Sequence, residues 1–126
     1  MELTARILRI FPEAWLVGGA LRDAVLKRPF KDIDIAVPPA PDFEARVGAL
    51  ARALDAACFP LDEENKVYRL APRRRAGLQL DIMPFVGGTL ASDLARRDFT
   101  INAMAFRLER GSEFKADRKT GAFAFK

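Results

Sequence analysis

Histidine is absent from this chain of 126 residues, and cysteine occurs once, at Cys58. The first absence removes serine–histidine and cysteine–histidine nucleophiles, histidine-ligated zinc and the usual proton shuttle of neutral pH. The second leaves no internal disulfide and no cysteine-built metal site. Set in LDAACFP, Cys58 is expected to be a buried small apolar residue. No window reaches the roughly 18 uninterrupted apolar residues that a membrane-crossing helix needs. The opening MELTARILRIFPEAW has neither the long apolar core nor the small-residue cleavage site of a secretory signal, so the cytoplasm is the expected location and no membrane partner is expected. Internal repeats and low-complexity tracts are missing too. Any chemistry must therefore run on carboxylates, lysine and arginine, hydroxyls and backbone amides.

What is present is a chain half apolar and 30% charged, enough for one packed core and the length of one domain over residues 1–126. Its 21 Lys and Arg against 17 Asp and Glu leave +4, a mild basic excess compatible with phosphates or RNA. LTARILRIF places Leu3, Ile7 and Leu8 at helical spacing and predicts a helix that Pro12 ends. Ala14 to Val17 reads as a short strand closed by Gly18-Gly19, and Ala20 to Lys27 returns to helical periodicity. KDIDIAV alternates with period two. After PPAPD, Asp42 is placed to cap a helix over FEARVGALARALDAA. Lys66 to Ala71 and Gly77 to Phe85 read as strands joined by the basic turn PRRRAG, TLASDLARR as a helix, and DFTINAMAFRL as a turn entering a strand. This order describes an α/β (α+β) domain, a small mixed sheet backed by helices.

Within KDIDIAV, Asp32 and Asp34 project from one face of a strand whose other face is Ile33, Ile35 and Val37. Two carboxylates held that close repel each other unless something positive lies between them. An edge strand with a wet polar face is one reading. A divalent cation is the other, and oxygen donors without histidine or cysteine favour Mg²⁺ or Mn²⁺ over zinc. Three neighbours support the cation. A Gly-Gly turn leads into a helix before the strand, a third acid, Asp81, stands in the apolar run LQLDIMPF and needs a partner, and the cluster ARRDFTIN comes after it. Gly18 and Gly19 let the backbone approach a ligand where helix N–H groups favour an anion, or else they form an ordinary turn. Arg22 lies one turn into that helix, near the same phosphates. Together these parts specify phosphoryl transfer: carboxylate-held metal ions activate a 3′-hydroxyl and steady a leaving pyrophosphate, while glycine amides and arginine hold a triphosphate.

GGALRD, KDIDIAV, LDIMPF and DLARRDFTINAMAF resemble the head domain of class II tRNA nucleotidyltransferases (CCA-adding enzymes) and bacterial poly(A) polymerases, within the DNA polymerase β-like nucleotidyltransferase superfamily. The likeness runs from about Ala14 to Leu108. It implies metal-binding roles for Asp32 and Asp34, with Asp81 on the strand of the third carboxylate. It also implies triphosphate contacts from Gly18, Gly19 and Arg22, and nucleotide contacts from Arg97 and Asp98. Asn102 lies in the same motif, and a helix cap plus strand start is a second reading of RRDFTINA. The implied substrates are ATP and CTP, the implied partner is the 3′ end of tRNA, and the implied activity is template-independent CCA addition by a two-metal mechanism. Poly(A)-type transfer, another acceptor, or a nucleotide- or RNA-binding module inactive without its neck domain are the alternatives. The neck, body and tail domains of the family are expected to be absent, and apolar surface where a neck would pack is a place for self-association. The turn Arg73-Arg74-Arg75 is either a solvated loop or a contact for RNA phosphates, and Phe99, Met104 and Phe106 are expected in the core.

Overall fold

Alternation of isoleucine with aspartate decides the middle of the molecule. In the computed structural model, which describes residues 3–18, 32–75, 77–96, 105–111, 114–116 and 123–125, the stretch Asp32–Val37 forms β2 with Ile33, Ile35 and Val37 fully buried. It is joined by β1 (Trp15–Val17), β3 (Ala56–Asp62), β4 (Val67–Pro72), β5 (Gln79–Pro84) and β6 (Ala105–Arg107) in one six-stranded sheet. The strand order is β3-β4-β5-β2-β1-β6. β2 runs parallel to β5, and every other pairing in the sheet is antiparallel. The expected mixed sheet is thus formed. Two further strands, β7 (Phe114–Ala116) and β8 (Phe123–Phe125), pair antiparallel in a separate small sheet.

Helices α1 (Leu3–Ile10) and α2 (Phe43–Ala53) cover one face of the large sheet. Leu3 and Ile7 of α1, and Phe43, Val47 and Leu50 of α2, recur at helical spacing and meet Ile33, Ile35, Leu80 and Ile82 in one core cluster. The Phe43 ring lies 6.1 Å from both Phe11 and Tyr68, tilted against each. Arg6 of α1 donates to the carbonyl of Ala53 at 2.6 Å, which satisfies one of the exposed carbonyls at the end of α2. The third helix among the described residues, α3 (Leu90–Ala95), opens on a capping box between Thr89 and Ser92. Inside it, the fully buried Asp93 accepts from the Val86 amide at 2.8 Å.

Several expectations are corrected. The second helix stops at Ala53 rather than running to Ala57, because Leu54 caps it and Asp55 turns to a positive φ of 48°. The next stretch, AACFPLD, is the edge strand β3, with a register irregularity between Pro60 and Asp62. A proline without an N–H and a local bulge are tolerated at an edge. Cys58 lies on that edge and is exposed, not buried. Asp42 stands at the N-cap position of α2 but makes no side-chain cap bond; its carboxylate pairs with Arg46 at 3.0 Å instead. Phe106 is 47% exposed rather than part of the core. The helix expected over Ala20 to Lys27, and Phe99 and Met104, lie outside the described residues.

Phe43 joins both helices to the sheet, so its truncation tests the core. Phe43→Ala is expected to lower unfolding free energy by about 3–5 kcal/mol, the range for removing a large buried aromatic. Urea denaturation monitored by circular dichroism measures it, and a loss below about 1 kcal/mol would contradict this packing.

Candidate active site

Side chains alternate along each strand, so the residues between the buried isoleucines and leucines face away from α1 and α2. Strand register lines several of them up. Asp34 on β2 pairs with Asp81 on β5, Asp81 pairs with Arg69 on β4, and Asp34 pairs on its other side with Val17 on β1. Arg69, Asp81, Asp34 and Val17 therefore form one row across four strands. Asp32 stands two residues before Asp34 on the same face, opposite Gln79. Beside the acids, Val17, Ala36 and Phe85 make a small apolar cluster with Trp15, Met83, Leu90 and Ala105 packed against it.

Asp32 is exposed, Asp34 is half-buried, and Asp81 is buried. Like charges directly opposite on neighbouring strands destabilise a sheet. Arg69 supplies the compensation. Its Nε donates to Asp81 Oδ1 at 2.9 Å and its Nη2 to Asp81 Oδ2 at 3.0 Å, a two-pronged grip that engages both carboxylate oxygens. The hydrogen bond to Asp81 holds the Arg69 guanidinium pKa above its ordinary value against the opposing effect of burial, with further support from the charges of Asp81, Asp32 and Asp34. One guanidinium thus answers to all three acids.

Gly18 ends β1 with φ at +71°, in the left-handed region that favours glycine. A Cβ at this position would stand 2.7 Å from Asp34 Oδ2, so the backbone here passes directly against the carboxylate. The glycine that the sequence assigned to a phosphate turn is also the one that leaves room for an acid.

The donors at this face are all hard oxygens. Among the described residues no group of three or more His, Cys, Asp or Glu converges to hold a metal ion. Asp32 and Asp34 remain together on one strand face. A pair of carboxylates fits Mg²⁺, which keeps several waters and takes its other ligands from substrate phosphates. Gly19, Arg22, Arg97, Asp98 and Asn102 lie outside the described residues. Of the basic turn, Arg73 pairs with Asp55 at 2.9 Å and both are exposed. Sequence reasoning overlooked Arg69. Its signal was present, since VYRLA and LQLDIMPF each carry one charge inside an apolar run and the two charges are opposite.

Comparison with known proteins adds a second line. The family model described as the Poly A polymerase head domain matches residues 14–117. The CC-adding tRNA nucleotidyltransferase of Geobacter sulfurreducens is 49% identical over 92 residues, 73% of this chain and 21% of that protein. The A-adding tRNA nucleotidyltransferase of Deinococcus radiodurans is 43% identical over 96 residues, 76% of this chain and 20% of that protein. The chain thus spans about a fifth of the length of these curated relatives. Among solved structures, a tRNA nucleotidyltransferase complexed with a primer tRNA and an incoming ATP analog superposes with a TM-score of 0.69 at 28% identity, covering 87% of this chain and 32% of that one.

The close approach of Gly18 to Asp34 has a measurable consequence. Gly18→Ala is expected to destabilise the chain by about 1–3 kcal/mol, the cost of a non-glycine residue held in a sparsely populated backbone region. Thermal and urea unfolding report it. Unchanged stability would contradict the left-handed backbone conformation at Gly18.

Proposed function

The chain belongs to the Poly A polymerase head domain family, and from that membership and the geometry of the acid face we propose that it is the catalytic head of a tRNA nucleotidyltransferase. In this reading it transfers CMP or AMP from CTP or ATP to the 3′ end of a tRNA. The observation that carries the proposal is the row in which Asp34 and Asp81 meet in register on adjacent parallel strands, with Asp32 on the same face and Gly18 against Asp34. Relatives named for CC addition and for A addition both align with this region. The chemistry common to both is what the region is proposed to carry.

The reaction forms a bond between the RNA 3′-oxygen and the α-phosphorus, and breaks the bond to the β-phosphate oxygen. Asp32 and Asp34 would hold a divalent cation, Mg²⁺ or Mn²⁺, whose charge serves the triphosphate and the attacking hydroxyl. Asp81 stands behind Asp34 in the row and, with Arg69, fixes the charge balance around it. The two-metal reading asks Asp81 to act as a third ligand through the lone pairs that its bonds to Arg69 leave open. Gly18 leaves room for the Asp34 carboxylate and, with Gly19, is proposed to bring backbone amides to the triphosphate. Arg22, Arg97 and Asp98 are proposed to orient the phosphates and the nucleotide, with Asn102 in the same motif.

The test is Asp34→Ala, assayed with tRNA lacking its 3′ end and labelled CTP and ATP. The same change is made in a chimera that carries this chain in place of the matching region of the Geobacter sulfurreducens relative. Transfer is expected to fall by about a hundredfold or more, the loss of several kcal/mol of transition-state stabilisation, with the fold retained. Full transfer by the variant would refute the role of Asp34.

A further inference from the structure

The charge balance that Arg69 gives the acid face bears on how the site takes up an ion. Arg69 lies in the same cross-strand row as Asp34 and Asp81, and its two donors take both oxygens of Asp81. We infer that Arg69 is the resident counter-cation of the site, a positioning residue that competes with a divalent ion for the acid row. This rests on the metal-ion reading above and concerns how that site is loaded.

Three features of the row support it. Asp81 accepts from Arg69 on both oxygens, so an ion shares each of those oxygens with the guanidinium, and among the described residues no set of three acids converges on an ion. The pair is partly solvated, with the Arg69 side chain 28% and the Asp81 side chain 12% exposed, so it is open to water. And a guanidinium one strand away from Asp81, which itself faces Asp34, places a positive charge close to any ion held by Asp34. Like charges at that range repel, and Arg69 therefore weakens metal binding in the nucleotide-free chain. A triphosphate reverses the balance, because its negative charge offsets the repulsion between ion and arginine. The arrangement keeps the acids compensated without an ion and makes ion entry depend on the nucleotide.

The experiment is a titration of the chain with Mn²⁺ alone, read by electron paramagnetic resonance, together with thermal unfolding with and without Mn²⁺. Arg69→Met removes the charge and keeps much of the volume. It is expected to bind Mn²⁺ about tenfold more tightly than the wild type, the effect of deleting one unit charge near a divalent ion in a high-dielectric setting. Without Mn²⁺ it should unfold at a lower temperature than the wild type, and it should gain more from saturating Mn²⁺. Equal or weaker binding by the variant overturns the inference. Where Arg69→Met does not fold unaided, Arg69→Gln carries the same comparison. Refolding of either variant by Mn²⁺ supports the competition, and failure to fold even with Mn²⁺ overturns it. A wild type that binds Mn²⁺ beside a variant that binds no more tightly defeats this inference alone. Absence of binding in both defeats the metal reading of the site as well.

Discussion

The grip of Arg69 on Asp81 is the interaction on which the acid face depends. Asp34 and Asp81 are brought opposite one another by the parallel pairing of β2 with β5, in the middle of a six-stranded sheet. Such a pair repels, and withdrawal from water strengthens the repulsion. Arg69 meets the cost from the next strand, in a planar fork that a lysine would not reproduce. Removing one partner of a buried ion pair typically costs about 3–5 kcal/mol, because the other is left uncompensated. With side chains still partly exposed, this pair belongs toward the lower end of that range.

Register makes the interaction possible, and the opposite face sets the register. Ile33 and Ile35 pair with Leu80 and Ile82 while they pack against α1 and α2. A slip of one residue between β2 and β5 would turn the aspartates into that core and the isoleucines out of it. The apolar face therefore specifies, through the alternation of the strands, where the charged face places its carboxylates. Core and site are two readings of the same pleat. Stability of one side fixes geometry on the other.

Legibility in the sequence obeyed the same logic. DIDIAV, VYRLA and LQLDIMPF declared themselves because alternation or an apolar run marks a strand, and Asp32, Asp34 and Asp81 stood out as charges within such runs. β3 did not, since AACFPLD has no alternation and contains a proline, and the alanines at its start extend the helical composition before it. Cys58 was misplaced with it. The position of Asp42 before a helical run suggests a cap, but its carboxylate pairs with Arg46, one turn on, and makes no cap bond. Arg69 was missed for a different reason. A single sequence shows that a charge lies in a strand, not which strand lies beside it, and the Arg69–Asp81 pair exists only once β4 and β5 are adjacent.

Gly18 shows how closely the parts of the motif are coupled. Read along the chain, the glycine pair and the acid strand are separate signals, one for phosphate and one for a cation. In the fold Gly18 ends β1, β1 pairs with β2, and the missing side chain is what lets Asp34 lie against the backbone. The positive φ of Gly18 and its missing side chain thus leave room for the acid independently of any nucleotide. On the proposed reading, a ligand drawn to the Gly18 amide and an ion drawn to Asp34 would meet at one place, because the two residues lie side by side. That closeness brings together two residues sixteen apart in the sequence, counted from Gly18 to Asp34.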